Sequence, residues 1–175
     1  RGAASDNLEF LYDSYTEVEI RHDCIVEIDR IYELVNRTNQ LNFTKIRSTK
    51  EELIELMNDD TVDVGYVKVR DKFGDYGIVG FYAVKNNRLV HFLFSCRTIG
   101  QGVEQYVYAK LDYPQLNIIG EVINDVHKGE CPAWINQKNI ENHIIEKKSH
   151  YKVIFKGACD LMNMSAYLAT DNVIE

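Results

Sequence analysis

The chain has 175 residues, 45% hydrophobic and 27% charged, and its 27 acidic against 20 basic side chains leave a formal net charge of −7. That length builds one domain with a real core and room for a fragment of a second. The acidic balance excludes nucleic acid and an anionic membrane as the main partner, and no apolar run reaches the length of a bilayer span.

In chain order, Glu17-Val-Glu-Ile-Arg-His22 alternates polar and apolar, the period of a half-buried strand. Asp23 is placed to cap a helix carrying Ile25, Ile28, Ile31, Tyr32 and Val35 on one face. The polar stretch Arg37-Thr38-Asn39-Gln40 ends that helix, and Leu41-Asn42-Phe43-Thr44 connects it onward. Thr49 and Glu52 form a capping-box pair that opens a second, short helix through Leu53, Leu56 and Met57. Three strands follow over residues 61–70, 76–84 and 88–96, joined by short turn-rich links, as an antiparallel meander. A helix over residues 101–112, with Val103, Val107 and Leu111 facing the sheet, is closed by Pro114. A further strand is expected over residues 117–123, and Pro132 suits the first turn of a last helix through Trp134 and Ile140. Residues 151–169 read as strand, turn and helix, either closing the domain or opening another α/β unit.

Between the fourth strand and its helix lies Arg97-Thr-Ile-Gly-Gln-Gly102, an Arg-x-x-Gly-x-Gly turn. Glycines there allow a sharp turn and close approach of the backbone to a ligand, and the helix that follows aims unpaired N–H groups at it. Such a terminus suits phosphate; the alternative is a plain helix start with two convenient glycines. The four cysteines, Cys24, Cys96, Cys131 and Cys159, form no Cys-x-x-Cys pair, and the five histidines are dispersed. No metal is therefore expected, and reduced thiols suit a cytoplasmic protein. The start, Arg1-Gly2-Ala3-Ala4, has neither an initiating Met nor a signal-peptide pattern and reads as an excised segment.

The element order and the turn's placement resemble the GNAT acyltransferase superfamily. Three blocks resemble the C-terminal half of FkbH-like proteins: Asn36-Arg-Thr-Asn-Gln-Leu-Asn-Phe-Thr44, Asp71-Lys-Phe-Gly-Asp-Tyr-Gly-Ile-Val-Gly80 and Ser95-Cys-Arg-Thr-Ile-Gly-Gln-Gly-Val-Glu104. The match covers roughly residues 8–143. It implies a GNAT-like α/β domain of the α+β type over residues 8–148, with residues 149–175 closing it or starting a following domain. Its sheet would be mixed, twisted and largely antiparallel, with helices on both faces. The activity it implies is transfer of an acyl group from acetyl-CoA, another acyl-CoA or a carrier-protein phosphopantetheine to a small-molecule amine or hydroxyl. A module that only docks an acyl carrier protein for neighbouring domains is the alternative. In FkbH-like proteins this half usually follows a phosphatase-like domain that loads a glyceryl unit; the Asp-x-Asp motif of that domain is absent here.

By the same resemblance, a V-shaped opening between the fourth and fifth strands would take the pantetheine. Arg97 and the backbone of Thr98, Ile99, Gly100, Gln101, Gly102 and Val103 would hold the phosphates. A backbone N–H around Phe92 to Phe94 would serve the oxyanion. Asn136 stands where the superfamily has an Asn before a helix bearing an acid Tyr, but no Tyr follows until Tyr151. His91 and His127 are candidate general bases, and Cys96 a candidate nucleophile; each has a structural alternative in the core or at the surface. Asn39, Gln40 and Asn42 either line the acceptor pocket or bond the helix end. Glu104 suits the helix dipole whatever its function. Asp71, Asp75 and Gly77 read as a solvated turn, and Cys159-Asp160 has no partners that give it a role.

Overall fold

A computed structural model describes residues 2–138. They belong to the first of two units of the chain, residues 1–139 and 140–175; the strand, turn and helix expected over residues 151–169 lie outside the described residues.

Period-2 patterning and turn chemistry build the sheet. Strand β1 (Glu17–Arg21), strand β2 (Val62–Asp71), strand β3 (Gly74–Lys85) and strand β4 (Arg88–Phe94) are antiparallel neighbours, and the short β5 (Asn136–Gln137) runs parallel to β1. The order across the sheet is β4-β3-β2-β1-β5. Asn86 and Asn87, with φ of 51° and 58°, make the two-residue link of the β3–β4 hairpin, the backbone that asparagine adopts most readily after glycine. Asp71 Oδ1 ties the β2–β3 turn by accepting from the N–H groups of Phe73 at 2.8 Å and Gly74 at 3.1 Å.

The helices are α1 (Gly2–Asp13), α2 (Ile28–Arg37), α3 (Lys50–Met57) and α4 (Val103–Lys110). On one sheet face, Ile31, Leu34 and Val35 of α2 and Leu53 of α3 pack on Val64, Tyr66, Phe81 and Leu93. On the other, Val103, Tyr106 and Val107 of α4 pack on Val67, Val69, Val79, Phe92 and Phe94. The fold is therefore α+β: a mixed, mostly antiparallel sheet with helices on both faces. No helix among the described residues is long and apolar enough to cross a membrane.

The capping box is present in full: Thr49 Oγ1 accepts from Glu52 N–H at 3.2 Å, and Glu52 Oε2 accepts from Thr49 N–H at 2.8 Å. Other expectations need correction. Asp23 does not cap α2; a 3₁₀ turn over Cys24–Glu27 intervenes, and Asp23 instead accepts from Arg21 and from the Tyr66 hydroxyl. Ile25 falls in that turn and is exposed, as is Tyr32, and the buried face of α2 is carried by Ile31, Leu34 and Val35. Residues 117–123 form no strand, since Gly120 takes φ +68° and the segment bonds residues 40–43 in place of a sheet strand. No helix opens at Pro132 within the described residues, because Asn136 and Lys138 are drawn alongside β1 by bonds to the carbonyls of Thr16 and Val18, 2.9 and 3.0 Å. Helix α1 has no sequence signal: Leu8, Phe10 and Tyr12 all stay exposed.

Candidate functional site

The outer edge of β4 organises everything around it. Residues 115–123 begin beside this strand in parallel, with Leu89 N–H donating to Gln115 O at 2.9 Å and Gln115 N–H to Asn87 O at 2.8 Å. They then diverge, and residues 40–43 fill the gap. Phe43 N–H donates to Phe92 O at 3.0 Å and Phe94 N–H to Leu41 O at 2.9 Å on the β4 side. On the far side Ile119 N–H donates to Phe43 O at 2.9 Å and Ile123 N–H to Gln40 O at 3.0 Å. The expected opening beside β4 is thus occupied by the chain's own backbone, and the Phe94 donor is already used. Asn42 sits fully buried in this wedge, its Oδ1 accepting from Lys45 N–H at 2.8 Å and its Nδ2 without a partner among the described residues.

Just beyond the wedge, a cleft of about 450 Å³ lies between the end of α2 and the turn after β4. Asn39, Gln40, Ser95 and Cys96 line it with Arg30, Glu33 and Arg37. A shallower recess of about 640 Å³ shares Arg30 and adds Lys68, Tyr76 and Arg97. Arg30 and Arg37 grip Glu33 at 2.6 and 2.7 Å. Hydrogen bonding from Arg30, then the charges of Arg30, Arg37 and Arg97, hold the Glu33 carboxyl below its ordinary range. Across the cleft and the recess Arg30, Arg37, Arg97 and Lys68 stand against Glu27 and Glu33, a local positive excess on an acidic chain and a fitting partner for phosphate oxygens. Arg47 fixes the mouth by donating to Val35 O and Asn39 Oδ1.

The chain after β4 is set by a bulge. Val79 is the extra residue of β3, and its carbonyl accepts from Ser95 N–H at 2.6 Å. Ser95 Oγ then accepts from Arg97 N–H and Nε–H, both at 3.3 Å, and Thr98 is fully buried. Several expected phosphate donors are spent within the turn: Thr98 N–H on Ser95 O, Ile99 N–H on Cys96 O and Gln101 N–H on Thr98 O, at 3.1, 3.2 and 3.1 Å. Gly100 and Gly102 take φ +81° and +78°, which explains both glycines conformationally. A Cβ at Gly102 would lie 3.0 Å from the Trp134 ring, whose Nε1–H donates to Gln101 O at 2.8 Å.

Outside this turn, at the start of α4, lies a second pocket of about 800 Å³ lined by Gly100, Gly102, Glu104, Asn124, His127 and Trp134, with Asp125 and Glu130. Among the described residues no Lys or Arg lines it. The two pockets adjoin: Gln40 belongs to the arginine cleft, Ile123 to this one, and a 3.0 Å hydrogen bond joins their backbones.

Compared with protein-family models, curated proteins and solved structures, the chain matches none.

The three candidate catalytic residues fall in three places. Cys96 is an exposed free thiol in the arginine cleft. His127 is exposed in the second pocket, clamped by Gln105, which accepts from its N–H at 2.7 Å and donates to its carbonyl at 2.8 Å. His91 is 3% exposed, lines neither pocket, and shares a 3.2 Å hydrogen bond with Ser48 Oγ. Burial pulls its pKa down to about 4. Asn136 lies in β5, at the sheet edge opposite β4. Sequence reasoning missed Arg30, Glu33 and Arg37, although their i, i+3, i+7 spacing marks one stripe of a helix. It also missed Asn124 and Trp134, for which no local pattern exists. Among the described residues, no group of three His, Cys, Asp or Glu side chains is placed to hold a metal.

Proposed function

We propose that this domain binds an acyl thioester, on CoA or on a carrier-borne phosphopantetheine, and passes its acyl group to an amine or hydroxyl. One observation carries the reading: residues 39–40 and 95–96, from distant segments, meet in one cleft with Arg30 and Arg37, next to Arg97. The arginines would hold the phosphates, and the thioester would lie over Ser95 and Cys96, outside the filled β4 edge. The acceptor's lone pair attacks the thioester carbonyl, the C–S bond breaks, and the proton lost by the acceptor ends on the released thiol. Positioning supplies most of the acceleration in this scheme. The exposed free thiols Cys96 and Cys131 fit a reducing, cytoplasmic setting.

A second reading, a module that docks a carrier protein without turnover, is favoured by the scatter of His91, Cys96 and His127 over three separate surroundings. Calorimetric titration with CoA and acetyl-CoA, followed by a thiol-release assay with candidate acceptors, tests both. Saturable binding with thiol release supports transfer. Binding without release under every acceptor supports docking, and no binding to CoA or to a phosphopantetheinylated carrier overturns both.

A further inference from the structure

We propose that the pocket at the start of α4 is a binding site for a protonated alkylamine, anchored by Glu104. The site goes beyond the thioester reading and does not depend on it.

A glutamate in the first turn of a helix gains from the dipole while standing in solvent. Glu104 instead is 2% exposed, walled in beside the pocket it helps to line. Its Oε1 accepts from Asn124 Nδ2–H at 2.9 Å, and its Oε2 is buried with no hydrogen-bond partner among the described residues. A buried carboxylate oxygen without a donor is costly, and desolvation raises this carboxyl's pKa accordingly. An ammonium N–H is the donor that removes both penalties at once.

The surroundings select a cation. Asp125 and Glu130 stand exposed at the rim, the Trp134 indole forms one wall, and no Lys or Arg among the described residues lines the pocket. Carboxylates attract an ammonium group and an aromatic face adds to its binding, whereas a phosphate would meet three acids. Among the described residues the acids do not converge on one point as ligands of a metal ion would. Spaced acids, one deep and two at the rim, suit a flexible organic cation, and a diamine best of all. The shared Gln40–Ile123 wall puts such an amine next to the arginine cleft.

The chain's single tryptophan, Trp134, reports directly on this pocket. The full chain is titrated with 1,4-diaminobutane in the absence of CoA, by Trp134 fluorescence and by calorimetry, with neutral 1,4-butanediol as control. The expected result is a saturable change with the diamine only, weakened at least about tenfold in Glu104→Gln, the scale of losing a charge-assisted contact. Should Glu104→Gln lack a cooperative thermal transition, Glu104→Asp replaces it, with a loss of at least about threefold expected from withdrawing the carboxylate by one methylene. No saturable change, equal binding of the diol, or undiminished affinity in the Glu104 variant overturns the site. Failure here with CoA binding intact would leave the thioester reading standing.

Discussion

Two pockets flank the same wedge of backbone and carry opposite charge. The cleft at the end of α2 gathers Arg30 and Arg37 around Glu33, with Arg97 in the adjoining recess. The pocket at the start of α4 gathers Glu104, Asp125 and Glu130, with no Lys or Arg among the described residues that line it. The helix terminus, the feature that a local reading assigns to phosphate, is the acidic one. Dipole and free N–H groups act over about one turn, and full charges nearby outweigh them. Anion preference is therefore decided by which side chains the fold delivers to a terminus, not by the terminus alone.

The comparison is most severely tested by removing the wedge that both pockets share. Phe43 is fully buried and its ring lies 5.1 Å from that of Phe92. Phe43→Ala should cost about 3–5 kcal/mol of stability in urea unfolding. Affinities for CoA and for the diamine should fall together; loss of one alone would break the idea of a common wall.

Acid should remove both sites as a unit. His91 is held neutral, with its pKa lowered from 6.5 to about 4 by burial. The unfolded chain then binds a proton that the fold does not, so stability is full above pH 6.5 and falls as pH drops toward 4. The contribution lost is about 3 kcal/mol. Unfolding curves at pH 7, 5 and 4 measure it, and His91→Leu should flatten the trend.

Arg30→Ala and Arg97→Ala separate the pockets. Each should weaken CoA by about 1–3 kcal/mol in calorimetry, and added salt should weaken wild-type binding in the same direction. The affinity for 1,4-diaminobutane should not move. If it falls with that for CoA, the two pockets are one site.

The smallest effect sets the baseline. Thr49→Ala removes one half of the α3 capping box and should cost about 1 kcal/mol of thermal stability. Both ligand affinities should stay at wild-type values, since Thr49 lines neither pocket.

Much of the fold is legible in the chain because it is written locally. The alternation in β1, the β2–β3–β4 meander, the Thr49–Glu52 box and the glycines of the turn at residues 97–102 each depend on neighbours a few positions away. Residues 39, 40 and 96 could be singled out for the same reason, as polar or reactive side chains next to element ends. Residues 117–123 misled because their apolar run matches a strand, while Gly120 and the bonds to residues 40–43 give the segment another course.

By itself, then, the sequence determined the meander, the helices that cover its two faces and the turn after β4, since short-range periodicity and φ preferences suffice for these. Only the tertiary structure decided that residues 40–43 fill the edge of β4, that Arg30 and Arg37 face Ser95 and Cys96, and that Glu104 meets Asn124. Those outcomes rest on hydrogen bonds and charges between segments far apart in the chain, and no local pattern records which segments will meet.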